Sequence, residues 1–287
     1  MQKEPSTNTM STSTSYRDAT GKIPHNMMND YMFRAILQKN QNVLKGLISS
    51  VLHMPPEEIT EIVIKNPILM GKSIKDKGFI LDLHVCVNHS RIINLEMQVI
   101  NEKDWPERSL SYLCDLFRQL TRGEKYRSAK PVIHIGFLDF QPFPDNIEFY
   151  SLYKLLNVKN NHLYSDKFAL GVIDLTHIEL ATEEDKAYQI DHWARLFKST
   201  TWEEIKMIAE NNKYMEEALQ ALYECNADDV IREQCLARVE QLAKENYYLR
   251  TIEEQAAELA KKEATLAEMQ AELEQLRAQL ANFKVEE

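Results

Sequence analysis

The segment ILDLHVCVNHSRIINLEMQV, from Ile80 to Val99, limits the fold more than any other stretch of the chain. Two alternating runs flank Asn88-His89-Ser90, a loop length common in β-hairpins. Successive side chains of a strand point to opposite faces of its sheet. Phe79, Leu81, Leu83, Val85 and Val87 therefore share one face, and Ile93, Leu95, Met97 and Val99 share a face of the second strand. The opposite faces carry Ile80, Asp82, His84 and Cys86, and Ile92, Asn94, Glu96 and Gln98. Pairing the apolar sets makes the sum of paired residue numbers even, because a one-residue slip would send every side chain to the wrong face. The loop pairs residue 87 with 91, and therefore 82 with 96. The spacing predicts Asp82 and Glu96 side by side, with Cβ atoms about 5 Å apart.

Two like charges so placed repel, and three arrangements relieve them. They can share a proton as an acid/base dyad. They can bind a hard divalent cation such as Mg²⁺, or Mn²⁺. They can also lie solvated on a wet sheet face. Ile80, Cys86 and Ile92 on the same face favour a half-buried setting, where solvation is poor. A cation between the two acids would polarise a phosphate and acidify a bound water. Gln98 is expected on the same face, able to orient that water but without the positive charge of a lysine.

Around the hairpin, residues 27–53 read as one helix capped by Asn26 or Asn29 and stopped by Pro55-Pro56. Glu61–Met70 reads as a strand, Gly71–Gly78 as a basic turn, 107–122 as a helix ended by Gly123, and Pro131–Phe140 and Phe168–Leu175 as strands. The order is α-β-β-β-α-β, then mostly helix from about residue 183. Leu249, Ile252, Ala256, Leu259 and Leu266, then Met269, Leu273, Leu276, Leu280 and Phe283, follow coiled-coil spacing with a stammer near Glu263. The alternative is a long helix packed back on the domain. The expected organisation is a disordered Ser/Thr-rich lead-in over 1–26, an α/β core over 27–180, a helical extension over 181–232, and a long helix or coiled coil over 233–287 that pairs protomers into a homodimer or higher oligomer.

No run of about 18 uncharged apolar residues is present, so a membrane span is not expected. The four scattered cysteines read as reduced, buried thiols, consistent with a cytoplasmic protein. The net charge of −10 opposes nucleic acid only on average. Residues 27–140 carry 15 Lys/Arg against 13 Asp/Glu, whereas 141–287 carry 16 against 29. The front half is free to meet a polyanion, with Lys75, Lys77, Arg108, Arg118 and Arg122 as candidate phosphate contacts. Gly71-Lys72-Ser73 lacks the upstream glycine of a phosphate-binding loop, since position 66 is Asn. His134, His162, His177 and His192 show no metal-ligand spacing.

With NDYMFR (Asn29–Arg34), Ile80-Leu81-Asp82, NLEMQV (Asn94–Val99), RSLSY (Arg108–Tyr112), GEKY (Gly123–Tyr126) and PVIHIGFL (Pro131–Leu138), the stretch 27–225 resembles the Rpn family of recombination-promoting nucleases and transposases. That family lies within the PD-(D/E)xK superfamily. The resemblance implies a restriction-endonuclease-like αβββαβ core, a mixed sheet flanked by helices, and a Mg²⁺-dependent endonuclease acting on double-stranded DNA in recombination or mobile-element activity. It implies Asp82 and Glu96 as metal ligands joined by the backbone carbonyl of Met97, with Gln98 in the place of the motif's Lys. Asp30 is expected to bind a second metal or its water, or else to complement its helix dipole. Tyr112 and Gln119 share a side of the second helix, where a structural role is preferred. Competing expectations are a degenerate nuclease fold acting as an oligomeric DNA-binding or scaffolding module, and a phosphoesterase for small nucleotides.

Overall fold

The computed structural model describes residues 15–67, 82–118, 120 and 123–283. Basic turn 71–78, with Lys75 and Lys77, lies outside the described residues, as do Phe79, Ile80, Leu81, Gln119 and Arg122. The chain divides into two compact units, 1–239 and 240–287.

The first unit opens with two helices where the spacing predicts one. Helix α1 is Asp30–Lys39 and helix α2 is Gln41–Val51. Asn40 leaves helical geometry between them, and its side chain accepts from the backbone N–H groups of Asn42 and Val43. An asparagine that caps the next helix so well competes with continuing the previous one. Asn29 caps α1 by accepting from Met32 N.

A six-stranded mixed sheet follows: β1 (Ile62–Ile64), β2 (Leu83–Val87), β3 (Arg91–Gln98), β4 (Val132–Leu138), β5 (Tyr150–Lys154) and β6 (Phe168–Asp174), in spatial order β1-β2-β3-β4-β6-β5. β1, β2 and β3 are antiparallel neighbours, β3, β4 and β6 run parallel, and β5 is an antiparallel edge strand that the sequence reading passed over. The β2–β3 register pairs Val87 with Arg91 and Leu83 with Leu95. Asn88 and His89 turn the hairpin at positive φ, a region asparagine tolerates better than most residues. Helix α3 (Trp105–Phe117) carries the parallel crossover from β3 to β4. It starts earlier than expected because Pro106 suits a first helical turn, and it stops at Arg118 rather than at Gly123.

The remaining helices are α4 (Glu183–Ala187), α5 (Ile190–Lys198), α6 (Trp202–Ala209), α7 (Lys213–Ala227) and α8 (Asp229–Phe283). Of these, α5 packs on α2, and α7 packs on both α1 and α2. The lead-in expected to be disordered is instead tied down over 15–26: Ile23 is buried, its N–H donates to Thr200 O, and Lys22 bridges Thr201.

Adjacent residues of β4 locate the two layers. Phe137 packs at a tilt against Phe33 of α1 and edge-to-face against Phe197 of α5, which puts those helices on the apolar face with Leu83, Val85, Ile93, Leu95 and Ile135. Gly136 faces the other way, against the Trp105 ring of α3. A Cβ there would overlap that indole, so only glycine lets α3 lie this close to the sheet. Trp105, Leu138 and Val172 form a small separate cluster under α3.

Candidate active site

The face covered by α3 is the one that carries the polar half of the hairpin. Glu96 lies opposite Gly136 on β4, and Asn94 opposite His134. Continuing the β2–β3 ladder one step beyond Leu83–Leu95 sets Asp82 across from Glu96. Both acids are buried, as are Asn94 and His134. The wet sheet face, one of three arrangements open from spacing, is therefore not what surrounds them.

Each acid is compensated differently. Asp82 Oδ2 lies 2.7 Å from His84 Nε2. Burial pushes its carboxyl up, but hydrogen bonds from His84 and Asn94 outweigh this and hold it below the usual carboxylate range. Burial drives His134 down to about 4, so at neutral pH that ring is uncharged and the hydrogen bonds carry the effect. Glu96 accepts from Arg108 at 2.7 Å. Burial still raises its pKa to about 7, opposed by Arg108 and reinforced by the charges of Asp82 and Asp30. Two facing carboxylates thus have proton affinities pushed apart, a pattern typical of functional pairs.

The orientation of this pair comes from elements far apart in sequence. Arg34, fully buried on α1, donates to the backbone carbonyls of Asp82 and Asn66. Burial lowers its pKa to about 10, opposed by the Asp82 charge, so it stays cationic. Asn66 Nδ2 donates to the same Asp82 carbonyl at 3.0 Å, and its Oδ1 accepts from His84 N at 2.8 Å. On the other side, Asn94 Nδ2 donates to His134 Nδ1 at 2.8 Å, which leaves the imidazole proton on Nε2. That Nε2 stands 3.5 Å from Glu96 Oε2, too far for a good hydrogen bond. Glu96 Oε2, His134 Nε2 and Asn94 Oδ1 are all buried without a hydrogen-bond partner.

The other residues expected at the site are distributed as follows. Gln98 is half-buried on the same face as Glu96, and its Nε2 donates to Ile100 O at 3.0 Å. Met97 turns its side chain into the apolar core. Asp30 is buried at the start of α1, held by Arg238 through Nε (2.7 Å) and Nη2 (2.6 Å). Arg108 and Tyr112, one turn apart on α3, both reach the site. The guanidinium lies 5.6 Å from the Tyr112 ring centroid, which is 5.9 Å from that of His134. Arg118 points into solvent beside Asp115.

Residues 27–252 match a family model described as PD-(D/E)XK nuclease family transposase. The chain belongs to that family. No curated protein and no solved structure matches it significantly.

A nuclease of this family implies a divalent cation, and the residues present fit one. Among the described residues no three His, Cys, Asp or Glu side chains form a ready cage. Mg²⁺ does not require one, since it usually takes one or two carboxylates and completes its shell with water and phosphate oxygens. Glu96 Oε2, buried and unpartnered, is the kind of acceptor that such an ion satisfies.

Sequence reasoning missed Arg34, Asn66, Asn94, His84 and His134 as parts of the site. Strand alternation already put His84 and Asn94 beside the acids, so that signal was present. Nothing local marked His134, which reaches Glu96 only through the parallel β3–β4 pairing.

Proposed function

We propose that this protein is a metal-dependent endonuclease that hydrolyses DNA phosphodiesters in mobile-element or recombination events. The observation that supports it best is the pair Asp82 and Glu96, facing each other on a buried sheet face with one Glu96 oxygen unpartnered. Mg²⁺ or Mn²⁺ held there by the two carboxylates and the Met97 carbonyl would supply Lewis acidity to the phosphodiester and lower the pKa of an attacking water. Asp82 contributes a carboxylate kept ionised by His84 and Asn94. Glu96 contributes one whose proton affinity burial raises in the metal-free protein and which must be ionised to act as a ligand. The Gln98 amide orients water. Arg34 fixes the Asp82 backbone, which holds the two acids in mutual reach.

The nuclease core corresponds to residues 27–180 and the helical extension to 181–232. In the second unit, Ile252, Leu259, Leu266, Met269, Leu273 and Leu276 are exposed at coiled-coil spacing on α8. We propose that this stripe pairs two protomers, bringing two sites to one duplex.

The test incubates supercoiled plasmid with the full chain in Mg²⁺ or EDTA, beside Asp82→Asn and Glu96→Gln, with circular dichroism to verify folding. Nicking in Mg²⁺ that both substitutions abolish supports the reading. A second reading, a degenerate fold that binds DNA without cutting, is favoured by the uncharged Gln98. It predicts retention of plasmid without nicking. Turnover of a chromogenic diester with intact plasmid would select a small-nucleotide phosphoesterase.

A further inference from the structure

Gln98 leaves the site short of one positive charge, because an amide cannot neutralise the charge that builds on a phosphodiester during hydrolysis. Among the described residues one guanidinium is bound to the Asp82 backbone, one to Asp30 and one to the Glu96 carboxylate. Arg34 is fully buried and bound to the carbonyls of Asp82 and Asn66, where it positions the backbone. Arg238 is bound to Asp30. Arg108 is different. Its side chain is about a quarter exposed, and it contacts Glu96 at the oxygen next to the unpartnered one.

Arg108 is also held near the site without help from Glu96. Its Nη1 lies 3.5 Å from Glu102, and its guanidinium stacks near Tyr112 one helical turn along. Its Nε is buried and lacks a hydrogen-bond partner. A cation entering the carboxylate pair competes with Arg108 for Glu96, and losing that contact leaves the guanidinium tethered a few ångströms away. A planar guanidinium presents several donors in a fork that suits phosphate oxygens.

The geometry points to Arg108 as an exchangeable cation: it occupies Glu96 in the metal-free protein and moves to a phosphodiester oxygen of the DNA when a divalent ion takes Glu96. This rests on the nuclease reading and supplies the positive charge missing at Gln98. The contact with Glu96 is then a competitor of the metal, and the contact with phosphate exists only with metal bound.

Both consequences are measured on the full chain without turnover. Calorimetric titration with Mn²⁺ compares wild type, Arg108→Gln and Arg108→Lys, each verified by circular dichroism. Arg108→Gln should bind Mn²⁺ about tenfold more tightly, since no charge-assisted hydrogen bond has to be broken. Anisotropy of a short fluorescent duplex across a salt series, in Ca²⁺ and in EDTA, reads the phosphate contact. In Ca²⁺ the wild-type slope of log affinity against log salt should exceed that of Arg108→Gln by about one, the value of one lost phosphate contact. In EDTA the two slopes should coincide, and Arg108→Lys should restore most of the difference seen in Ca²⁺. Unchanged or weaker Mn²⁺ binding in Arg108→Gln overturns the exchange, as does a slope difference equal in Ca²⁺ and EDTA. Wild type that binds no Mn²⁺ overturns the nuclease reading itself, and so is told apart from failure of the exchange alone.

Discussion

The two faces of β3 are both buried and could hardly be less alike. Ile93, Leu95 and Met97 enter a core shared with α1, α2, α5 and α7, where each apolar group removed from water contributes about 25 cal/mol per Å². Asn94 and Glu96 enter a thinner layer under α3, where every polar atom must find a partner or cost stability. On the first face a side chain is defined by its volume. On the second it is defined by its hydrogen bonds, and three of those remain unmade at Asn94, Glu96 and His134. One strand therefore does two jobs: its apolar half holds the sheet rigid, and its polar half spends some of that stability on a poised pair of acids.

The largest effect should come from emptying the apolar face. Phe137→Ala removes a ring packed on Phe33 and Phe197 and should lower unfolding free energy by about 3–5 kcal/mol in a urea titration. A loss below about 1 kcal/mol would show that the helices on this face repack freely, and the comparison would lose its basis.

On the polar face the expected damage is to function. Asp82→Asn should cut plasmid nicking by about 10²–10³-fold, the usual range for loss of one preorganised electrostatic group. Its cost in stability should stay well below that of Phe137→Ala. Removing either acid relieves repulsion but also loses compensating partners, because Asp82 is hydrogen-bonded by His84 and Asn94, and Glu96 is paired with Arg108.

The pH dependence separates the two acids themselves. Glu96 is raised to about 7 by burial, so the folded state holds its proton over a range where the unfolded chain has released it. Stability of the metal-free protein should therefore fall as pH rises from about 4.5 to 7, by on the order of 3 kcal/mol. Asp82 is held below its usual value, so its contribution is present at neutral pH and is lost as pH falls through the acid range. Glu96→Gln should flatten the fall above pH 4.5 in denaturation curves and leave the acid limb in place. A profile that keeps its slope in that variant assigns the proton elsewhere.

The smallest effect tests the seam between layers. Gly136→Ala sets a methyl group against Trp105, and overpacking of this kind costs about 1–3 kcal/mol. Because Trp105 seats the helix that carries Arg108 and Tyr112, the variant should also shift Mn²⁺ affinity. An apolar-face substitution, such as Ile135→Val, should leave that affinity alone.

Much of this was legible from particular residues. The loop Asn88-His89-Ser90 and the alternation around it determined the hairpin register, and hence that Asp82 and Glu96 face each other, since a strand's period of two fixes which residues pair on a face and the loop length selects the pairing. NDYMFR marked α1, but the break at Asn40 turned on side-chain capping that periodicity does not register. The edge strand β5 escaped notice because most of its side chains are exposed and its alternation is weak.

The sequence by itself determined which residues of β2 and β3 share a face, because that is a property of strand geometry acting on neighbours along the chain. Only the tertiary structure decided how the acids are compensated. Arg34 from α1, Arg108 from α3, His134 from β4 and Asn66 ahead of β2 reach them from up to 48 residues away in sequence. Burial pushes both proton affinities up and prevails only at Glu96, because hydrogen bonds hold Asp82 down; it depends on the helix that Gly136 allows to close over the sheet. Desolvation is a collective effect of everything packed nearby, and no spacing between two residues encodes it.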